Sequence, residues 1–136
     1  MPLRASDRAQ PTRVLIVDDE APIRALAERV LTDAGYAIDL ASGGSEALRI
    51  VAREGTFDLF VIDVMMPEMR GDELARQLRS RDPDVKVLYF TGDADRLFRE
   101  QNVLAGNEAF LEKPVTAQGL REAVSLLLFA HTRGPD

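Results

Sequence analysis

The chain contains no cysteine. That excludes a disulfide framework, a thiolate zinc site and a thiol nucleophile. It has a single histidine, His131. The methionines Met65, Met66 and Met69 therefore lack the thiolate or imidazole company that a soft-metal site needs, and they read as packing and loop residues. Positive charge is in the minority, with 17 Lys and Arg against 23 Asp and Glu and a net charge of −6. An acidic chain is poorly suited to nucleic acid, whose non-specific binding depends on Lys and Arg, so no nucleic-acid partner is expected. No apolar run approaches the ~20 residues of a membrane span. The opening "MPLRASDRAQPTR" also lacks the apolar core of a signal peptide. No membrane partner is expected, and the cytoplasm is the expected compartment.

What is present alternates regularly. Residues 1–12 are polar, hold Pro2 and Pro11, and read as a flexible N-terminal tail; 13–130 read as one domain and 131–136 as a C-terminal tail. "RVLIV" (13–17) and "LFVID" (59–63) are near-continuous apolar runs, the mark of strands buried on both faces. "AIDLA" (37–41), "VKVLYFT" (85–91) and "EAFLE" (108–112) complete five strands. The apolar spacing predicts helices over 21–35, 43–55, 72–81, 95–106 and 116–130, with Gly35, Pro83 and Gly106 as stops. Strands alternating with helices imply an α/β fold, a parallel sheet covered on both faces. The flavodoxin-like doubly wound order 2-1-3-4-5 opens a crevice at the carboxyl ends of strands 1 and 3.

The polar residues fall at that crevice. Strand 1 ends in Asp18 and Asp19, strand 3 in Asp63, strand 4 in Thr91, and strand 5 leads into Lys113. At ~4 Å two carboxylates repel by about 1 kcal/mol in water and about 4 at an effective dielectric of 20. Three acids converging in a cleft call for a cation, and hard oxygen donors suit Mg²⁺. One carboxylate then remains usable as a nucleophile toward a phosphoryl group, with the Thr91 hydroxyl and the Lys113 ammonium able to hold its oxygens. Each residue alone has an ordinary reading. An Asp pair caps a helix, Thr91 suits a strand, and Lys113–Pro114 suits a surface turn. Their joint placement at strand ends carries the functional reading.

The segments "VDDE", "DVMMPEMRG", "FTGD" and "FLEKP" together resemble the response regulator receiver domain of two-component signalling, over residues 13–130. The resemblance implies that Asp63 is the phosphoacceptor. It implies that Asp18, Asp19 and Asp63, with the backbone carbonyl of Met65, bind Mg²⁺ or Mn²⁺. Thr91 would be the switch hydroxyl, Lys113 the phosphate-binding cation, and Phe110 the switch aromatic in a position where many relatives carry tyrosine. A cis Lys113–Pro114 bond is also implied.

The function expected is that of a stand-alone receiver, a phosphoacceptor rather than an enzyme. Its phosphodonor partner would be a histidine kinase or a histidine phosphotransfer protein; the downstream target is a further protein that the residues do not name. Signalling would pass through the face of the helix over 95–106, the strand over 108–112 and the helix over 116–130, which is also a candidate homodimer surface. Leu126 and Phe129 have no obvious burial there in a monomer, unless they fold back over the end of the helix over 95–106 onto Leu97 or Val103. Ile23 and Leu26 are expected to stay partly exposed for kinase docking. Alternatives are a receiver excised from a hybrid sensor histidine kinase, an aspartate-nucleophile phosphatase, and a non-phosphorylated pseudo-receiver. The phosphatase needs a second acid two residues after the nucleophile, where Met65 stands. His131, trailing the last helix, lacks the mid-helix setting of a phosphodonor.

Overall fold

In a computed structural model, residues 11–92 and 107–129 are described. They form β1 (Arg13–Val17), α1 (Ala21–Asp33), β2 (Ala37–Ala41), α2 (Gly44–Glu54), β3 (Leu59–Asp63), α3 (Gly71–Arg81), β4 (Val87–Thr91), β5 (Glu108–Glu112) and α4 (Ala117–Leu128). The sheet is parallel throughout, in the order β2-β1-β3-β4-β5, as expected from sequence. The expected helix over 95–106 lies outside the described residues.

Alternation along the strands builds two cores. Leu15, Val17, Phe60, Ile62, Val87 and Tyr89 face α2 and α3. Val14, Ile16, Leu59, Val61, Leu88 and Phe90 face α1 and α4. β1 from Val14 onward and all of β3 and β4 are buried, because helices cover both sides. From α1 the stripe Ala27, Val30 and Leu31 is buried, and from α4 Leu120, Val124, Leu127 and Leu128.

Element ends follow local chemistry. α1 ends where Gly35 adopts φ 101°, a left-handed conformation that costs glycine little. The Gly35 N–H donates to Thr32 O and the Tyr36 N–H to Leu31 O, which closes the last turn. β4 begins at Val87 rather than at residue 85, because the Val85 N–H turns back to Asp82 O. Thr12 is buried, and its carbonyl accepts the Ala37 N–H. Thr12, read from sequence as part of the tail, is thus tied to the sheet.

Two surface expectations meet the packing. Ile23 and Leu26 are half-buried and lean on the α1–α4 core. Leu126 is exposed, at 61% of its surface. Phe129, the C-cap of α4, is half-buried and packs against the same core, so of the pair it is Leu126 that lacks burial.

One glycine sets how closely α3 follows the sheet. A Cβ on Gly71 would lie 2.4 Å from the Asp63 carbonyl oxygen and 2.8 Å from Ile62 Cγ2. Gly71 N–H donates to Val64 O at 2.8 Å. Gly71→Ala should therefore push the α3 start off the end of β3 and cost about 1–3 kcal/mol, as overpacking of a well-filled site does. Chemical denaturation monitored by circular dichroism checks this; an unchanged midpoint would show that the backbone yields freely there.

Candidate functional site

The carboxyl ends of the strands bring the predicted residues together. Asp18 follows β1 and is fully buried; its N–H donates to Ala41 O, which extends the ladder past the strand. Asp63 closes β3 at 4% exposure. Thr91 closes β4 and is fully buried. The Lys113 N–H donates to Thr91 O at 2.7 Å, so the lysine leaves β5 beside the threonine. The Lys113–Pro114 bond is cis, as the resemblance implied.

Ligand oxygens of Asp18, Asp19 and Asp63 all lie within 4.8 Å of one another. Lys113 Nζ stands 3.3 Å from Asp63 Oδ1, 3.9 Å from Asp18 Oδ2 and 3.8 Å from Glu20 Oε2. Asp18 Oδ1 accepts the Glu20 N–H at 2.8 Å. Asp18 Oδ2 is buried with no hydrogen-bond partner, and at 3.9 Å the ammonium is beyond hydrogen-bonding range. An orphaned carboxylate oxygen aimed among two other carboxylates is the donor set a hard divalent cation takes. The acidic triad fits a divalent metal site.

Electrostatics agree with the geometry. Burial pushes Asp63 up to about 7, the charge on Asp18 adds to the rise, and Lys113 opposes it. Burial also raises Asp18, against the Glu20 N–H and Lys113. For Lys113 burial acts downward, but Asp18, Asp63 and Glu20 outweigh it and raise its pKa.

Other contributors carry no signature of their own. Arg24 donates from Nη1 to Asp18 O at 2.6 Å and so braces the acidic loop. Its signal is positional, since it lies one turn after Glu20 on the helix that leaves the acid pair. Gly71, the first residue of α3 after the Arg70 N-cap, leaves no room for a side chain beside the Asp63 carbonyl, and a glycine at a helix start is the trace it leaves. Phe110 is half-buried, with its ring 5.8 Å from that of Tyr89. Met65 is exposed at 48% and its sulfur receives a contact from Arg70 Nη1.

Residues 14–125 match the response regulator receiver domain family, and the chain belongs to it. The response regulator MprA of Mycobacterium sp. (strain KMS) is 37% identical over 128 residues, covering 93% of this chain and 55% of the relative. The sensor kinase CckA of Brucella abortus is 36% identical over 126 residues, 92% of this chain and 13% of the kinase. The chain thus spans about half the length of the MprA relatives and a small part of the kinase. Among solved structures, the chemotaxis protein CheY4 of Vibrio cholerae is similar with a TM-score of 0.78 at 29% identity, covering 86% of this chain and 98% of that one. A receiver protein from Sinorhizobium medicae gives 0.77 at 32% identity, with coverage of 88% and 95%. A two-component receiver implies a histidine kinase partner, and receivers are typically phosphoacceptors rather than enzymes in the ordinary sense. Among the described residues no helix is long and apolar enough to cross a membrane.

The raised acid gives a pH dependence with a defined sign. Below pH 3.8 Asp63 is protonated in both folded and unfolded chains. Between 3.8 and about 7 the unfolded chain releases the proton while the folded one retains it. The folded state then binds more protons, so stability falls as pH rises through that window. The metal-free protein should lose melting temperature across it, Asp63→Asn should flatten the loss, and Mg²⁺ should offset it at the upper end. Equal slopes in parent and variant would remove Asp63 as the source.

Proposed function

We propose that this receiver accepts a phosphoryl group on Asp63 from a phosphohistidine of a partner kinase or phosphotransfer protein, in a reaction that depends on Mg²⁺ or Mn²⁺. The observation that carries the reading is the setting of Asp63: buried at the end of β3, 3.3 Å from Lys113 Nζ, with its oxygen inside the acidic triad. An Asp63 carboxylate oxygen attacks phosphorus, the phosphorus–nitrogen bond to the donor imidazole breaks, and that nitrogen keeps the electron pair. The product is an acyl phosphate. Asp18, Asp19, Asp63 and the Met65 carbonyl would hold the ion. When bound, the ion supplies positive charge that offsets the repulsion between the carboxylates and the incoming phosphoryl oxygens. Lys113 is placed to pair with a phosphoryl oxygen, and Thr91 supplies a hydroxyl at the neighbouring strand end. The triad and lysine side by side favour this over a pseudo-receiver. Met65 at the second-acid position disfavours a phosphatase.

In this reading Thr91 and Phe110 form the switch. A hydroxyl drawn toward the phosphoryl group makes room for the Phe110 ring, which turns a charge event into a packing change. The output face is β5 with α4, together with residues 95–106 outside the described set. Exposed Leu126 on α4 suits contact with a protein partner or a second copy of the chain. The assignment concerns the receiver fold itself and applies equally to a stand-alone regulator and to the receiver of a hybrid sensor kinase.

Incubation with Mg²⁺ and a small phosphodonor should add one phosphoryl group by intact mass, while Asp63→Asn adds none. Lys113→Ala should keep the fold and lower the uptake rate by at least tenfold, as loss of one preorganised charge stabiliser does at about 10²–10³ in other sites. Stable aspartyl phosphate in the Asn variant would overturn the assignment.

A further inference from the structure

Helix α2 begins without a cap of its own. Gly43 stands where Ser, Thr, Asp or Asn usually accepts a bond from the first-turn N–H groups, and no residue of the helix start provides that bond from the capping position. The acceptor arrives from another part of the chain. Glu68, in the loop between Asp63 and Gly71, accepts the Ser45 backbone N–H on Oε1 at 2.9 Å, and Ser45 Oγ donates to Oε2 at 3.2 Å. A carboxylate at a helix N-terminus also meets the positive end of the helix dipole.

The two glycines that open α2 make this approach possible. A Cβ on Gly43 would lie 2.8 Å from Glu68 Oε1, and one on Gly44 would lie 2.6 Å from Met69 Sδ. Gly43–Gly44 is a socket for two consecutive side chains of the loop. Neither glycine has a positive φ, so what glycine offers here is room for the ends of these two flexible side chains. The loop is fixed at its far end by the Gly71 N–H to Val64 O bond, and the clamp fixes its middle. The clamp also adjoins the acids: Asp19, Gly43, Ser45 and Glu68 border one cleft.

We propose that Glu68 is a positioning residue for phosphotransfer: clamped on Ser45 and seated over Gly43, it holds the loop after Asp63, and with it the Met65 carbonyl, where metal loading and phosphoryl uptake need it. The inference rests on the phosphoacceptor reading of Asp63.

Glu68→Ala should lower Mg²⁺ affinity about tenfold by calorimetry, the low end of what partners outside a metal's own ligands contribute. Phosphoryl uptake should slow with it at sub-saturating Mg²⁺, and the melting temperature should drop by a few degrees for the lost cap. Glu68→Gln keeps a carbonyl oxygen for the Ser45 N–H and loses the charge; it should stay close to the parent. The combination of Glu68→Ala with Gly43→Ser separates positioning from helix stabilisation. Serine can cap α2 from within, in the space the carboxylate has left. Melting temperature should then recover while Mg²⁺ affinity stays low. Recovery of both overturns the proposal, and so does parent-like Mg²⁺ binding in Glu68→Ala. A Gln variant as weak as the Ala variant also overturns it, because charge and not the clamp would then set the affinity. Amide exchange at Ser45 and across residues 64–70 reports the clamp with no phosphodonor present. A parent chain that binds Mg²⁺ but takes up no phosphoryl group would sink the phosphoacceptor reading, with exchange and calorimetry still deciding the clamp.

Discussion

Repulsion among Asp18, Asp19 and Asp63 is the constraint around which the domain is arranged. Their oxygens share a space 4.8 Å across, two of the three residues are buried, and among the described residues Lys113 is the lysine that faces them. If all are ionised, three negative charges meet one positive and the excess is two. A site this dry cannot hold that excess without a proton or a cation. The proton is visible as the upward displacement of Asp63 to about 7. The opening for a cation is visible as the partnerless oxygen of Asp18. The same charge excess that makes this cluster of carboxylates costly makes it receptive to a divalent ion.

Holding like charges together requires a frame that does not relax. The sheet provides it by carrying hydrogen bonds one residue beyond the strands. Asp18 N–H reaches Ala41 O, Val64 N–H reaches Phe90 O, and Lys113 N–H reaches Thr91 O. Each chemically active residue is thereby fixed to the rim of a rigid element, and a loop that could swing away from its neighbours is avoided. The buried strands behind the rim supply the packing that resists the repulsion. Arg24 adds a brace on the Asp18 carbonyl, a cation placed on the backbone where it does not compete for the carboxylates.

Most of this frame was legible in the residues. β1 and β3 begin and end where the apolar runs do, because in a parallel sheet covered on both faces burial and strand extent coincide. The acids, Thr91 and Lys113 were legible because a parallel sheet delivers strand ends to one edge. Less visible were features that depend on close approach between segments distant in sequence. Gly43 and Gly44 read only as the opening of a helix, and Gly71 as a loop glycine, until the atoms opposite them are known. Glu68 looks like a surface acid, since a cap supplied from 23 residues away leaves no local capping pattern. For Phe129 the sequence leaves burial and exposure both open. Helical periodicity assigns it a direction that holds only while the helix continues, and α4 ends at Leu128.

Phe110 illustrates how far a site motif extends into the rest of the fold. Its ring rests 5.8 Å from that of buried Tyr89. The Tyr89 hydroxyl donates to Glu108 Oε2 at 3.4 Å, and Glu108 pairs with Arg79 of α3. The hydroxyl that phenylalanine lacks is thus present one strand away, already engaged in a polar chain that joins β4, β5 and α3. An aromatic pair of this kind contributes roughly 0.5–1.5 kcal/mol beyond its buried area. Driving a two-state equilibrium from 1:99 to 99:1 takes about 5.5 kcal/mol. Movement of the ring alone falls short of that, so in the proposed switch most of the difference between states must arise at the phosphoacceptor, where charge is added to an already crowded site. The aromatic layer then sets which neighbouring surface feels the change, and the Glu108–Arg79 pair makes α3 one of the elements that packing at Phe110 can reach.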